Sequence, residues 1–307
     1  MAYDIIIIKK ENIDFNRRNR AMPTTSTINR LNDVFFKSLM GDNSRKELTL
    51  SFLNAVMQEG QTNKFTDVEF KDQELEPTME DGKSPRLDIV ATLNDGTMVD
   101  IEVQVSTQKF MPKRSLFYWS RMYSNQAVKG DDYINLKRAV TINLLKFNLL
   151  PEPEWHNKCF ITIENSNRIL TDDLEMHFLE LPKLKLKDLR SLRKLEAWGA
   201  YFYGQYDSNE MEEIIMAEPI IKKALKYENY FINDSRMRRL YDMREDGVRD
   251  YISGINEAKR EGRAEEIRRT IINSLKAGLN IAMIAQITEA SVDEIKAVQA
   301  EMNQTNK

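Results

Sequence analysis

The chain has 307 residues, 41% of them apolar and 30% charged, with a net charge of −3. This is enough to bury one sizeable core, and no apolar run is long enough to span a bilayer or resembles a secretory leader. One cysteine, Cys159, excludes an internal disulfide framework and points to a cytoplasmic, reducing environment.

Residues 1–27 read as an N-terminal extension, because "NRRNRAMPTTST" is polar and carries Pro23 and a Thr/Ser run. Met22 is a second candidate start. "INRLNDVFFKSLM" has helical apolar spacing through Leu31, Val34, Phe35 and Leu39 and stops at Gly41. "SRKELTLSFLNAVMQ" predicts a second helix, with Ser44 as its cap and Glu47 three positions on. "KFTDVEFKDQEL" reads as strand and loop. "PRLDIVATLNDGTMVDIEVQV" is the strongest hairpin signal, with two alternating runs around Asn94-Asp95-Gly96. "PKRSLFYWSRMYSNQAVKG" is helical up to Gly130. "KRAVTINLLKF", "KCFITIEN" and "LEMHFLELP" then predict three strands.

From Leu186 onward strand signals vanish. "KLEAWGAYFYG", "EIIMAEPIIKKALKYENYF" and the charged run from Tyr241 to Gly278 all read as helix. The tail reads as a helix pair resembling a helix-turn-helix, with a capping box at Ser291 and Glu294. Its second helix offers Asp293 and Glu294 against Lys296, a poor set for reading DNA. Ile281, Ile284, Ile287 and Ile295 instead predict an apolar face for a partner or for self-association. The expected organisation is an α/β core over 28–185, a helical region over 186–264 that packs on or extends it, and a helical tail over 265–307.

Within the hairpin, Val99, Ile101, Val103 and Val105 share one face, and Asp100, Glu102 and Gln104 the other. A two-residue turn at Asp95-Gly96 sets Asp88 opposite Val103. A three-residue turn, with Gly96 left-handed, pairs Leu93 with Thr97 and sets Asp88 opposite Glu102. The sequence allows both. In the second register two carboxylates converge, and with the Val103 carbonyl they form an oxygen donor set suited to a hard cation. Spacing alone favours the blander alternative, an open hairpin face carrying charges, with Asp100 at its solvated end. One cysteine and the pair His156 and His177 argue against zinc; a bound metal would be held by carboxylates, as Mg²⁺, Mn²⁺ or Ca²⁺.

The charge is unevenly spread. From Val105 to Gly130 there is no acid, while Lys109, Lys113, Arg114, Arg121 and Lys129 are all basic. Arg114, Tyr118, Arg121 and Asn125 recur at helical spacing and could track a nucleic-acid backbone. Of these the arginines are the candidates, since Tyr118 and Trp119 suit a core. No role is assigned to His156 or His177, and Cys159 reads as a small buried apolar side chain.

"PRLDIVATLNDGTMVDIEVQV" followed by "KRSLFYWSRMYSNQAVKGDDY", with "NDVFFKSLMG" and "LSFLNAVM" upstream, resembles the bacterial recombination-promoting nuclease and transposase family. That family belongs to the PD-(D/E)XK nuclease superfamily, and the resemblance covers about residues 28–260. It implies a restriction-endonuclease-like α/β fold with a mixed central sheet flanked by helices. It implies metal-dependent hydrolysis of DNA phosphodiesters in recombination or mobile-element biology, with Mg²⁺ as the expected ion. Asp88 falls on the first acid of the superfamily pattern and Glu102 on the second. Gln104 stands where the superfamily carries lysine, although this family tends to have glutamine there. Catalytic Asp88, Glu102 and Gln104, and metal ligands Asp88, Glu102 and the Val103 carbonyl, are thus implied, while Lys113, Arg114 and Arg121 are candidate DNA contacts from the basic stretch and helical spacing alone. Asp33 falls where relatives place an auxiliary acid, although a helix-start role is equally open to it. Lysine would supply charge to the attacking water and glutamine only hydrogen bonds, so Lys113 or Arg114 is the candidate for the missing charge. The alternative is a nuclease-derived module that binds DNA or itself without cutting.

Overall fold

The structure, a computed structural model, describes residues 28–305 apart from 59, 72–88, 107–109, 128–129, 131 and 187. The N-terminal extension and Asp88 therefore lie outside the described residues.

Two helices open the fold, α1 (Asp33–Met40) and α2 (Lys46–Met57). Asn32 starts α1, because its side chain accepts from the amides of Val34 and Phe35, which have no partner within the helix. Ser44 does not cap α2 as expected. It sits inside a short 3₁₀ turn, Asn43–Arg45, where Asp42 accepts from its amide and its hydroxyl.

Strands β1 (Val68–Lys71), β2 (Ile89–Leu93) and β3 (Met98–Gln104) follow, then helix α3 (Met111–Ser124) and strand β4 (Ala139–Leu145). "KCFITIEN" is not one strand. It splits into β5 (His156–Cys159), on the edge of the main sheet, and β6 (Thr162–Ile163), which pairs with β7 (Arg168–Ile169) in a separate ribbon. β8 (Leu174–Glu180) completes the sheet. The six-stranded order is β1-β2-β3-β4-β8-β5. β3, β4 and β8 run parallel to one another, and β1, β2 and β5 add antiparallel edges.

The two faces of this mixed sheet differ in chemistry. Val99, Ile101, Val140, Ile142 and Leu144 point into the main core, which also takes Phe35, Phe36, Phe52 and Trp198 from the helices. The opposite face is covered by α3, whose Met111, Ser115, Tyr118 and Met122 are buried. That interface is partly polar. Ser115 Oγ donates to Asn143 Oδ1 at 2.9 Å, Asn143 Nδ2 donates to the His177 carbonyl at 3.0 Å, and Trp119 Nε1 donates to the Ala139 carbonyl at 2.8 Å. Buried polar groups matched in this way fix one docking of the helix on the sheet, since any other would leave them unpaired.

The rest is helical: α4 (Lys194–Tyr203), α5 (Ser208–Ala217), α6 (Ile221–Asn233), α7 (Ser235–Lys276), α8 (Ile281–Thr288) and α9 (Val292–Thr305). The run around Pro219 divides into α5 and α6 because proline cannot continue a helix. Side chains of α4 to α6 enter the same core as the sheet. α7 is 42 residues long and mostly exposed beyond its first turns. At its far end Ile271 packs with Ile284, Ile295 and Val298 in a separate small cluster. The apolar face expected for a partner is therefore largely spent on joining α7, α8 and α9, although Ile287 stays exposed. No helix among the described residues is long and apolar enough to cross a membrane.

His156 and His177 form a pair across β5 and β8. His156 Nε2 and His177 Nδ1 lie 2.8 Å apart, and His177 Nε2 is 2.6 Å from Glu175 Oε1, whose carboxylate also pairs with Arg138. Burial, then the neighbouring ring and nearby Lys158 and Arg193, push His156 down to about 3; burial also holds His177 well below its ordinary value. Cys159 packs against the Met176 and Phe178 cluster, and burial pushes its thiol up.

Two outcomes follow for stability. Both histidines stay neutral in the fold but take up protons when unfolded below about pH 6.5, so acid favours unfolding. Stability is complete above that pH and falls toward pH 3, by up to about 1.4 kcal/mol per pH unit per histidine. Denaturation midpoints between pH 6.5 and 5 should show this slope. His156→Gln, which keeps a donor beside His177, should flatten it. The second outcome concerns Gly96, at φ +90° with Lys137 carbons 3.2 Å from where a Cβ would stand. Gly96→Ala should cost at least about 1 kcal/mol in chemical denaturation, because the left-handed turn strains any side chain.

Candidate active site

The hairpin turn decides which side chains share a face. The Leu93 amide donates to the Thr97 carbonyl at 2.9 Å, and the Gly96 amide donates to the Leu93 carbonyl at 2.9 Å. The loop is thus Asn94-Asp95-Gly96, with three residues and a left-handed glycine. Asn94 also braces it, accepting from the Thr66 amide at 2.8 Å. The ladder runs Thr92 with Met98, Ala91 with Val99, Val90 with Asp100 and Ile89 with Ile101. This is the register in which Asp88 would be assigned to Glu102, and Ile89 is the last described residue before it.

The acid face is not a solvated edge. Asp100 is 1% exposed and Glu102 2% exposed, both beneath α3. The expectation that Asp100 occupies a solvated strand end is therefore wrong. Alternation put it on the polar face correctly, but nothing in the hairpin itself announces that a helix folds down over that face. The neighbouring strand adds Thr141 beside Asp100 and Asn143 beside Glu102. The sheet thus carries a continuous buried polar stripe.

Glu102 Oε2 accepts from Arg114 Nη2 and from Gln104 Nε2, each at 3.2 Å. Arg114 comes from the first turn of α3. Its guanidinium points inward to the acid, with its carbon 5.1 Å from the Tyr118 ring centroid. Arg114, Tyr118, Arg121 and Asn125 share a helical spacing but not one exposed stripe, and Tyr118 is in the core as expected. Arg114 faces the sheet, so the exposed side of α3 carries Phe110, Lys113, Leu116 and Phe117, with Arg121 half-buried at its margin.

A cleft of about 670 Å³ opens at the C-terminal end of β3, a usual place for ligands on a sheet with parallel strands. Val103, Gln104 and Arg114 line it on one side, Asp33 and Lys37 of α1 on another. The third wall is α7, through Arg244, Val248 and Tyr251. Sequence reasoning missed this wall, which lies far along the chain in a run that reads as solvated helix. The contacts holding it are specific. Arg244 Nε is 2.8 Å from Asp33 Oδ1, Asn32 Nδ2 donates to Glu245 at 2.7 Å, and the Asn29 amide donates to the Tyr241 hydroxyl at 2.8 Å. Asp33 therefore lines the cleft, pairs with Arg244 and accepts from the Val34 amide at 2.9 Å. Lys113 is exposed beside Arg114, and Arg121 is half-buried two turns further on.

The donors at this end of β3 are oxygens: the Glu102 carboxylate, the Gln104 amide and the strand carbonyls. Among the described residues, no three acids, histidines or cysteines come together closely enough to hold a metal ion. Over residues 30–258 the chain matches the PD-(D/E)XK nuclease family transposases, and it belongs to that family. Nucleases of this kind generally use divalent metal ions. No curated protein and no solved structure matches the chain.

Arg114 supplies a cation to a nearly inaccessible carboxylate from a position that is itself partly solvated. Its loss should cost about 1–2 kcal/mol, after allowing for solvent screening of the arginine. Arg114→Met should show that loss in urea denaturation and Arg114→Lys a smaller one. Equal stability of all three proteins would mean that the pair contributes nothing to folding.

Proposed function

We propose that the protein is a metal-dependent DNA endonuclease linked to recombination or mobile elements. The observation that carries the reading is the buried Glu102 carboxylate, held by Arg114 and Gln104, which themselves line a cleft, in a member of a nuclease family. A buried acid at a cleft is costly unless it is matched, and functional sites are where such groups concentrate.

In this reading Asp88, which lies outside the described residues, belongs to the same site as Glu102. Asp88, Glu102 and the Val103 carbonyl then form an all-oxygen set that fits Mg²⁺, or Mn²⁺ or Ca²⁺ in its place. An ion held there would supply Lewis acidity for phosphodiester hydrolysis. The chain's own residues do the rest. Gln104 orients the attacking water through hydrogen bonds, since it carries no charge to activate it. Arg114 brings the positive charge that the superfamily takes from lysine. Asp33 is an auxiliary acid on the opposite wall. Lys113 and Arg121 contact phosphates along α3. Water oxygen bonds to phosphorus, one P–O ester bond breaks, and the leaving oxygen takes a proton. Hydrolysis needs no further reactant.

The rival reading is a module that binds DNA or itself without cutting. The Arg114–Glu102 contact favours it, since a guanidinium on the acid competes with a metal for the same oxygen. Cleavage of supercoiled plasmid in Mg²⁺ decides between the two. The active-enzyme reading expects nicked and linear product that a chelator abolishes. Asp88→Ala and Glu102→Ala should each lower the rate by at least about 10³-fold, and Gln104→Ala by about 10- to 100-fold. Wild-type rates in both acid variants would remove the site. DNA binding with no cleavage by the wild type would establish the rival.

A further inference from the structure

On the solvent side of α3, Phe110, Lys113, Phe117 and Arg121 follow one another at helical spacing and share one face. Phe110 is 60% exposed and Phe117 is 51% exposed, with Leu116 exposed beside them. The Arg121 guanidinium lies 5.9 Å from the Phe117 ring centroid. Arg114, which lines the cleft, follows Phe110 by four positions and precedes Phe117 by three, so helical spacing sets it beside the strip.

Two phenylalanines held this open to water cost solvation, even with the Phe117 ring 5.9 Å from that of Tyr118. Their setting is selective. No acid occurs anywhere from Val105 to Gly130, so the surface favours an anionic ligand. Aromatic and basic side chains alternate, which suits a ligand that alternates flat rings with negative charges. Nucleic acid with unstacked bases is such a ligand. Intact duplex is a poorer match, because its ring faces are already stacked and only phosphates and groove edges remain for a helix to touch.

We infer that this face of α3 binds unpaired nucleobases of DNA, with bases stacking on Phe110 and Phe117 and phosphates resting on Lys113 and Arg121. The preferred substrate is then DNA with a single-stranded segment next to a duplex, such as a fork or an overhang, whose strand is led toward the cleft. The inference rests on the reading that the cleft acts on DNA, and deepens it by naming the DNA structure recognised.

The test uses the full chain in Ca²⁺ and DNA carrying 2-aminopurine, placed either in a single-stranded overhang or within a duplex. Stacking should quench the overhang probe on binding. Phe110→Ala with Phe117→Ala should abolish the quench and weaken overhang binding about tenfold, with duplex affinity changed less than about twofold. Phe117→Trp should retain the quench. Thermal melts check that the exposed substitutions leave the fold intact. Binding without a quench, no binding to either DNA, or equal losses on both DNAs overturns the inference. So does a change of oligomeric mass in the double variant by light scattering, which would assign the face to contacts between copies of the chain. Plasmid cleavage in Mg²⁺ separates the two readings. Cleavage without the quench removes only the stacking face, and the quench without cleavage removes only the enzyme.

Discussion

Gly96 is a small residue on which the arrangement of the site depends. Its left-handed backbone closes a three-residue turn, and that turn sets Leu93 against Thr97. Side chains alternate along a strand, so a slip of one residue would turn β3 over. Glu102 would then face Ile142 and Leu144 in the apolar core, and Ile101 would face α3. In the observed register the apolar residues of β3 feed the main core, while Asp100 and Glu102 lie beside Thr141 and Asn143, and Gln104 donates to Glu102. The chemistry of the cleft is thus tied to the conformation of one turn at the opposite end of the strand.

The polar layer under α3 orders the helix as well as the acid. Ser115, Trp119 and Arg114 each reach the sheet with a hydrogen-bonding group, to Asn143, the Ala139 carbonyl and Glu102. An apolar interface could slide or rotate at small cost. Three directional contacts spread along the helix leave little room for either. The same helix therefore offers a fixed outer face to solvent, and the side chains on that face are as well placed as those beneath it.

Much of this was legible in the sequence because it depends on local rules. The alternation in "VDIEVQV" grouped Glu102 with Gln104, and Asn-Asp-Gly limited the hairpin to two turn types. Only the structure chose between them. The family resemblance identified Glu102 and Gln104, which lie together. What could not be read was the consequence of long-range packing. Asp100 is buried because α3 covers it. Arg114 points inward for the same reason, while its helical period alone grouped it with Arg121. The α7 wall of the cleft and the pairing of His156 with His177 join residues distant in sequence that carry no shared local pattern. The break in "KCFITIEN" is equally invisible to alternation, because an edge strand can leave its sheet without interrupting the run of β-forming residues.

α7 has a mechanical consequence. Val248 and Tyr251 line the cleft, while Ile271 anchors the small terminal cluster with α8 and α9. The span from Tyr251 to Ile271, twenty residue steps, is one unbroken helix about 30 Å long at the usual rise. The two ends behave as a single shaft. A torque applied at the terminal cluster reaches the cleft wall unless the shaft bends, and its weakest points are Gly254 and Gly262, where the absence of a side chain makes helical backbone least costly to distort. The placement of α8 and α9 relative to the cleft is thus carried by the geometry of one helix.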